Sequence, residues 1–205
     1  MATLVRAACL TNYREVAGAS GLNPGRMLLD AGLSPGVLEE PDLMIPVERV
    51  GRLLQASAQA SGNECFGLRM ARSRFLSNLG AVGLLMRDQA TLRDSLQLLM
   101  RYQAMLNGAL TLAIEESGPT VVIREVLIAG SPHEPTRQRV ELALGVMVRA
   151  IRQLLASDWR PRRVCFEHAA PKDLGLHLEM FGQGIEFDCE FNCIVCASSD
   201  LDMPN

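Results

Sequence analysis

The sequence predicts an α+β fold in which a helical N-terminal half packs on a small mixed or antiparallel sheet. Three observations support this prediction. Apolar residues recur at helical spacing over residues 4–106, the pattern changes to short apolar runs after Asn107, and 48% of the 205 residues are hydrophobic. A chain of this length and composition can bury a substantial core, so we expect one compact domain over residues 1–205.

The helical half carries signals for the starts and ends of its helices. Asn23 is placed to cap the segment NPGRMLLDAG, and Gly32 follows the end of that segment. Pro46 opens the segment PVERVGRLLQASAQASG, and Thr91 caps LRDSLQLLMRYQAML. The apolar residues of these segments fall on one face at a period of 3.6 residues, which predicts amphipathic helices.

The second half, residues 107–200, predicts the element order ββαβαββ. The run ALTLAIEESGPTVVIREVLI has two apolar stretches around a Gly-Pro turn, which is typical of a hairpin. A long helix is expected over residues 134–157, with Glu141 on its more polar side. The runs RRVCFEH, GIEFD and NCIVCAS are typical of strands, and KDLGLHLEMFG of a helix. The expected buried seam of the long helix comprises Val140, Leu144, Met147, Ile151 and Leu154.

Charge and hydropathy exclude several classes of function. The net charge of −3 and the pI of about 5.7 argue against direct binding of this chain to nucleic acid, which needs a basic surface. No apolar run approaches the ~18 residues of a membrane helix, and no secretion signal is visible. We therefore expect a cytoplasmic protein with no membrane partner, whose cysteines are free thiols because the cytosol is reducing.

The motif GLSPG, residues 32–36, matches the G-x-S-x-G pattern of a hydrolase nucleophile elbow. That elbow uses the backbone N–H of the residue after the serine as an oxyanion donor, and Pro35 has no N–H. Ser34 is therefore interpreted as a cap of a helical turn, and the sequence predicts no catalytic residue.

The stretch DCEFNCIVC, residues 188–196, places three cysteines in nine residues. Its spacing resembles part of a zinc or iron–sulfur site, but a structural zinc site needs four ligands and no second cysteine pair with such spacing exists. On a strand Cys193 and Cys196 point to opposite faces, which favours packing over chelation. Metal binding or redox sensing by Cys189, Cys193 and Cys196 are the alternatives.

The three histidines, His133, His168 and His177, are isolated in the sequence. On a strand Cys165 and His168 point to opposite faces, so they do not form a local cysteine–histidine pair. A structural hydrogen bond or a solvated ring is the expected role of each histidine. The sequence accordingly predicts no metal site and no cofactor.

Several segments of the chain, taken in order, form a pattern that resembles a known protein family. Residues 159–171, WRPRRVCFEHAAP, are followed by FG, GIEF and NCIV, and the chain closes with SSDLDMPN. The upstream segments LLDAGLSPGVLEEPDLMIPVERVGRLLQASAQASG, FGLRMA and RYQAMLNGALTLAIEESGPTVVI belong to the same pattern. In order and spacing these segments resemble the N-terminal regulatory domain of AraC-family transcriptional regulators, in the arabinose-binding-like branch. The residues that carry the resemblance include Pro161, Val164, Phe166, His168, Pro171, Phe181, Gly182, Ile185, Phe187, Asn192, Ile194 and Val195.

The resemblance implies a non-enzymatic domain of a bacterial transcriptional regulator that senses a small-molecule effector, forms a homodimer, or both. Members of the family bind DNA through a C-terminal domain with helix-turn-helix units. That domain is absent from this chain, so we expect a fragment of a longer protein. The family's namesake holds sugar in a cupin-like barrel, but the helical content here departs from that barrel, and sugar binding is not carried over.

An effector is expected between the helical half and the sheet, because such junctions form clefts and ligand pockets are mostly apolar with a few polar groups. The candidate walls and polar contacts are Phe75, Met86, Arg101, Tyr102, Met105, His133, Glu141 and Arg149. Two other functions stay open at this point: a stand-alone protein-interaction domain, and a thiol- or metal-dependent enzyme that uses the cysteine cluster.

Overall fold

The structure, a computed structural model, describes residues 3–127 and 136–205. Its helices are α1 (Tyr13–Ala19), α2 (Pro24–Asp30), α3 (Val47–Ser61), α4 (Phe66–Ala71), α5 (Ala81–Arg87), α6 (Leu92–Leu106), α7 (Arg137–Leu154), α8 (Gly175–Phe181) and α9 (Ser198–Leu201). Short 3₁₀ helices cover Ala7–Leu10, Pro35–Leu38 and Leu76–Leu79. The strands are β1 (Leu4–Arg6), β2 (Met44–Pro46), β3 (Leu110–Ser117), β4 (Thr120–Leu127), β5 (Arg163–Cys165), β6 (Ile185–Glu186) and β7 (Cys193–Ala197). No helix of these residues is long and apolar enough to span a bilayer.

The predicted helix starts are confirmed by their capping contacts. The Asn23 side chain accepts a hydrogen bond from the backbone N–H of Arg26 at 3.0 Å, and Thr91 Oγ1 accepts one from Asp94 N–H at 3.2 Å. These contacts satisfy N–H groups that have no partner within the first turn. Ser34 likewise accepts from the N–H of Gly36, which confirms its interpretation as a cap.

A five-stranded mixed sheet organises the C-terminal half, in the strand order β3-β4-β7-β5-β6. Only β5 and β6 are parallel, and the other neighbouring strands pair antiparallel. The element order along the chain is the predicted ββαβαββ. One face of β4 is apolar and buried through Val121 and Ile123, which are 0% and 1% exposed. The predicted α+β class and the mixed sheet are therefore confirmed.

A second, two-stranded sheet lies inside the half that was predicted to be helical. β1 pairs antiparallel with β2, and Val5 faces Ile45 in that register. Val5 also forms an isolated bridge with Asn107, which connects this small sheet to the start of the other half. The helical prediction over residues 4–106 is wrong for these strands, because each is three residues long and too short to show a period.

Helix α7 is the central element of the fold. All five residues of its predicted seam are buried. The helix ends at Leu154 rather than at residue 157, because Ala156 takes a positive φ of 43°; residues 134 and 135 lie outside the described residues. Glu141, predicted on the more polar side of the helix, is 0% exposed and lies among buried polar side chains rather than at the solvent. A helix surrounded on several sides buries more than one stripe, which periodicity does not reveal.

Candidate ligand-binding cavity and polar cluster

A cavity, here called the junction cavity, lies where the helical half meets the sheet. Its volume is about 160 Å³, and it is partly open to solvent. Engineered apolar cavities of about 150 Å³ bind molecules of the size of benzene. The apolar part of its lining comprises Val5, Ala8, Cys9, Val47, Val50, Leu54, Leu79, Leu99, Leu106, Leu110, Leu112, Leu127, Leu142, Ala143, Val146, Met147 and Ala150. The polar part comprises Arg6, Arg74, Asn78, Gln103, Asn107, Glu125 and Arg139.

Regular spacing on each element brings these side chains together. Val47, Val50 and Leu54 are three and four residues apart on α3, and therefore share one helix face. The sheet supplies the opposite wall, since Leu112 on β3 lies directly across from Glu125 on β4. The cavity is thus formed by periodic apolar faces of helices and strands that do not close completely on one another.

Glu125 occupies a position where the strand pattern calls for an apolar residue. It follows Val121 and Ile123 at alternate positions of β4 and is only 4% exposed. Burial raises the pKa of its carboxyl group to about 8. Its Oε2 has no hydrogen-bond partner among the described residues. Glu125 stands among the inward-facing apolar residues of its strand. The sequence therefore carries a signal for this site that our prediction did not include.

Arg74 places a second charged group in the lining. Its side chain is buried, and it donates hydrogen bonds to the carbonyl oxygens of Ala8 and Cys9. Burial lowers the pKa of the guanidinium to about 10, so it keeps its charge at neutral pH. Its Nε finds no hydrogen-bond acceptor in the described part of the chain. The cavity thus combines apolar walls with two buried groups whose hydrogen-bonding capacity is not fully used.

The eight residues predicted from sequence lie in different surroundings. Phe75 and Met105 are 59% and 65% exposed, Arg101 is exposed, and Tyr102 is half-buried. Three others occupy three separate sites: Met86 is buried beside Asn205, Glu141 belongs to a polar cluster described below, and Arg149 donates to the carbonyl oxygen of Arg74. His133 lies outside the described residues. None of the seven described residues lines the junction cavity, and a ligand contact by any of the eight stays a prediction.

On the other face of α7, four side chains form what we call the polar cluster: Cys65, Glu141, His168 and His177. Glu141 Oε1 lies 3.3 Å from His177 Nε2 and 3.6 Å from His168 Nε2. Cys65 Sγ lies 3.8 Å from His177 Nδ1. A ligand-type atom from each of Cys65, Glu141 and His177 lies within 4.8 Å of the other two. His168 and His177, which are isolated in the sequence, come together here because the fold joins residues from four separate segments.

Aromatic rings and burial surround the polar cluster. The ring centroid of Phe166 is 5.0 Å from that of His168 and 5.5 Å from that of His177. Burial lowers the pKa of His168 and raises the pKa of the Cys65 thiol to about 11. Arg137, on the preceding turn of α7, donates from Nε to Glu141 Oε1 at 3.2 Å. The cluster therefore sits in a poorly hydrated environment with one cation beside its carboxylate.

The cysteines of the stretch DCEFNCIVC lie elsewhere, and all six cysteines of the chain are free. Burial raises the pKa of Cys193, and that of Cys196 to about 12, which disfavours the reactive thiolate. Cys189 shares a second group of metal-ligand type with Cys165 and Glu186. In that group Cys189 is half-buried and Glu186 is exposed, so only Cys165 of the three is enclosed by protein.

Comparisons with known proteins agree with this architecture. Residues 21–205 match the family described as the arabinose-binding domain of AraC transcription regulator, N-term. The chain is 30% identical over 190 residues to the HTH-type transcriptional regulator VirS of Mycobacterium tuberculosis, in a match that covers 91% of this chain and 55% of VirS. It thus spans about half the length of the curated relatives it matches.

A solved structure shows the same fold. The transcriptional regulator CdpR from Pseudomonas aeruginosa superposes with a TM-score of 0.62 over 87% of this chain and 55% of CdpR, at 18% sequence identity. The family match over residues 21–205 confirms the resemblance seen in the sequence. The chain belongs to the family of N-terminal arabinose-binding domains of AraC transcription regulators.

Proposed function

We propose that this chain is the effector-sensing domain of an AraC-type regulator and that its effector binds in the junction cavity. The observation that carries the proposal is a largely apolar cavity of about 160 Å³ with three buried ionisable groups in its wall, Arg74, Glu125 and Arg139. Ligand sites in proteins typically combine apolar walls with a few polar groups that orient the ligand. In this proposal the domain is not an enzyme, acts in the cytoplasm, and controls a helix-turn-helix domain in the longer protein.

The chemistry of the lining narrows the class of effector. A sugar presents several hydroxyl groups, and each one needs a hydrogen-bond partner when it is buried. Most of the lining is aliphatic, which favours a ligand with more apolar surface and fewer hydroxyl groups than a sugar. In this lining, Glu125 Oε2 and Arg74 Nε are buried atoms with no hydrogen-bond partner among the described residues. We therefore propose a small apolar molecule with one polar group that hydrogen-bonds to Glu125 or Arg74.

The experiment is a thermal-shift screen of small apolar acids, alcohols and amides, with wild type compared to Ala143→Leu. Ala143 lines the cavity, and a leucine there occupies the space of the ligand. A compound at 100 times its Kd stabilises wild type by about 2.7 kcal/mol. The same compound is expected to leave Ala143→Leu unshifted. Ala60→Leu, on the exposed side of α3, adds the same side chain away from the cavity and is the control.

Two results would contradict this proposal. A compound that stabilises wild type and Ala143→Leu equally binds elsewhere on the domain. If no compound in the screen raises the melting temperature of wild type, the proposed sensing role is wrong.

The homodimer and the DNA partner also belong to the proposal. Both rest on the family, whose members are transcriptional regulators. Light scattering of the full-length protein tests the dimer, with twice the monomer mass as the expected result. The gene sequence beyond codon 205 tests the DNA-binding part, which we expect to encode helix-turn-helix units. If the full-length protein is a monomer that binds its effector normally, the proposed homodimer is wrong and the proposed sensing role stands.

A further inference from the structure

The polar cluster contains more buried hydrogen-bonding atoms than the protein satisfies. Glu141 Oε2, His168 Nε2 and His177 Nε2 are buried atoms with no hydrogen-bond partner among the described residues. Glu141 and His177 are both 0% exposed. Buried polar atoms without a partner are rare in native proteins, and a bound water or ion is a common explanation. One carboxylate oxygen and two imidazole nitrogens here have the capacity to hold a ligand.

The hydrogen bonding of His168 defines what that ligand must be. Its Nδ1 lies 2.9 Å from the carbonyl oxygen of Ala169, and since a carbonyl only accepts, Nδ1 carries the hydrogen. In the neutral ring Nε2 is then an acceptor, and it lies 3.6 Å from an oxygen of Glu141, which is also an acceptor when ionised. Two facing lone pairs repel one another unless a hydrogen-bond donor, a proton or a metal cation lies between them. A histidine that binds a metal through one ring nitrogen usually donates from the other to a carbonyl or carboxylate oxygen, as Nδ1 does here to Ala169.

We propose that the polar cluster binds one Zn²⁺ ion through Cys65, Glu141 and His177, with His168 as the fourth ligand. Thiolate, imidazole and carboxylate are the ligand types that zinc takes in proteins, and four ligands complete a structural site. Arg137 donates one hydrogen bond to Oε1 of Glu141, which leaves lone pairs on both carboxylate oxygens for coordination.

The distances between the ligand atoms fit a compact site. Zinc bond lengths of about 2.0–2.3 Å place the ligand atoms of a tetrahedral site about 3.3–3.6 Å apart. His177 Nε2 and His168 Nε2 lie 3.3 and 3.6 Å from Glu141 Oε1, and one ligand atom each of Cys65, Glu141 and His177 lies within 4.8 Å of the other two. Small side-chain adjustments therefore close the site around an ion.

A metal here would tie together segments that are distant in sequence. Cys65 immediately precedes α4 of the helical half, Glu141 lies on α7, His168 follows β5, and His177 lies on α8. The ion would bridge the two halves of the chain on the side of α7 opposite the junction cavity. This role is independent of effector binding, so zinc content and effector binding can succeed or fail separately.

The test measures zinc in protein that is produced without a polyhistidine tag and purified without chelators. We expect about one zinc per chain in wild type, and a rise in melting temperature when zinc is added to the metal-free protein. Cys65→Ser and Glu141→Gln are expected to weaken zinc affinity by at least roughly tenfold. Cys196→Ser changes another buried cysteine and should retain zinc, as should Cys189→Ser, which alters the other group of metal-ligand type.

Specific results overturn the proposal. Wild type that holds no zinc, and whose melting temperature does not respond to zinc, shows that a proton rather than a metal sits between His168 and Glu141. Zinc that persists in Cys65→Ser, or that is lost in Cys189→Ser, places the metal elsewhere. If Cys65→Ser does not fold, cobalt-substituted wild type is the second measurement. A thiolate-to-cobalt charge-transfer band is expected, and bound cobalt without that band contradicts coordination by Cys65.

Discussion

One buried glutamate lies on each side of α7, and the two glutamates differ in their surroundings. Glu125 reaches from β4 into the wall of the junction cavity, where burial raises the pKa of its carboxyl group to about 8. Glu141 lies on α7 itself, where a guanidinium and two imidazoles face its carboxylate. Burial therefore favours the protonated form of one carboxyl group, whereas the other lies beside a guanidinium and two imidazole rings.

Packing differs in the same way on the two sides. Toward α4 the backbones approach so closely that a Cβ on Gly67 would lie 2.0 Å from the carbonyl oxygen of Gln138, and one on Gly145 would lie 2.5 Å from the Cβ of Ala71. On the cavity side, Ala143 and Val146 border open space. The face of α7 toward α4 is therefore closely packed, and the opposite face leaves room for a ligand.

The largest expected effect concerns the protonation of Glu125. Its pKa rises from 4.5 in the unfolded chain to about 8 in the folded protein. Between these values the folded state holds a proton that the unfolded state has lost, so stability falls as pH rises, by about 1.4 kcal/mol per pH unit. Glu125→Gln removes this dependence. We expect the variant to gain about 3 kcal/mol relative to wild type between pH 5.5 and 7.5.

The measurement for Glu125→Gln is urea denaturation of both proteins at the two pH values. Glu40→Gln removes an exposed carboxyl group and is the control for changes in net charge. Equal gains in stability for Glu125→Gln and Glu40→Gln would mean that the Glu125 carboxyl group is hydrated or paired in solution. The contrast drawn between Glu125 and Glu141 would then be wrong.

Gly145→Ala tests the closely packed face of α7. The added methyl group meets Ala71 and Leu68, at 2.5 and 3.0 Å, and forces α4 away from α7. We expect a loss of about 2 kcal/mol in the free energy of unfolding, even though alanine favours helix by about 1 kcal/mol over glycine. Gly18→Ala, on an exposed helical position with no atom within 4 Å of the new Cβ, is expected to stabilise. Thermal and urea unfolding give both values, and a stabilised Gly145→Ala variant would refute the close packing.

Ala143→Leu gives the smallest expected change in stability. The new side chain enters existing space, so the free energy of unfolding should change by less than about 1 kcal/mol. Ala71→Leu makes the same substitution against Gly145 and should cost at least about 2 kcal/mol. Urea denaturation of the two variants compares the faces directly. Similar losses in both would show that the cavity closes in solution.

Much of the fold was predictable because it depends on local patterns. The caps at Asn23 and Thr91 and the ββαβαββ order follow from turn residues and periodicity within short windows. The strands β1 and β2 were missed because each is short and its partner is about forty residues away. Only their pairing makes them strands.

The candidate sites were the least predictable part. Glu125 was detectable as a carboxylate in an alternating apolar strand, whereas the predicted residues Phe75 and Met105 are mainly exposed. Cys65, Glu141, His168 and His177 share no spacing in the sequence that marks them as a group. Their approach results from the packing of α4, α7 and α8.

The sequence by itself determined the helices, the hairpin, the mixed sheet and the AraC-type family, because these depend on periodicity, capping and motif order. The tertiary structure alone decided which face of α7 encloses a cavity and which face encloses the polar cluster. Periodicity reports that a side chain is buried, but the residues that meet it come from distant segments, and their contacts exist only after the chain has folded.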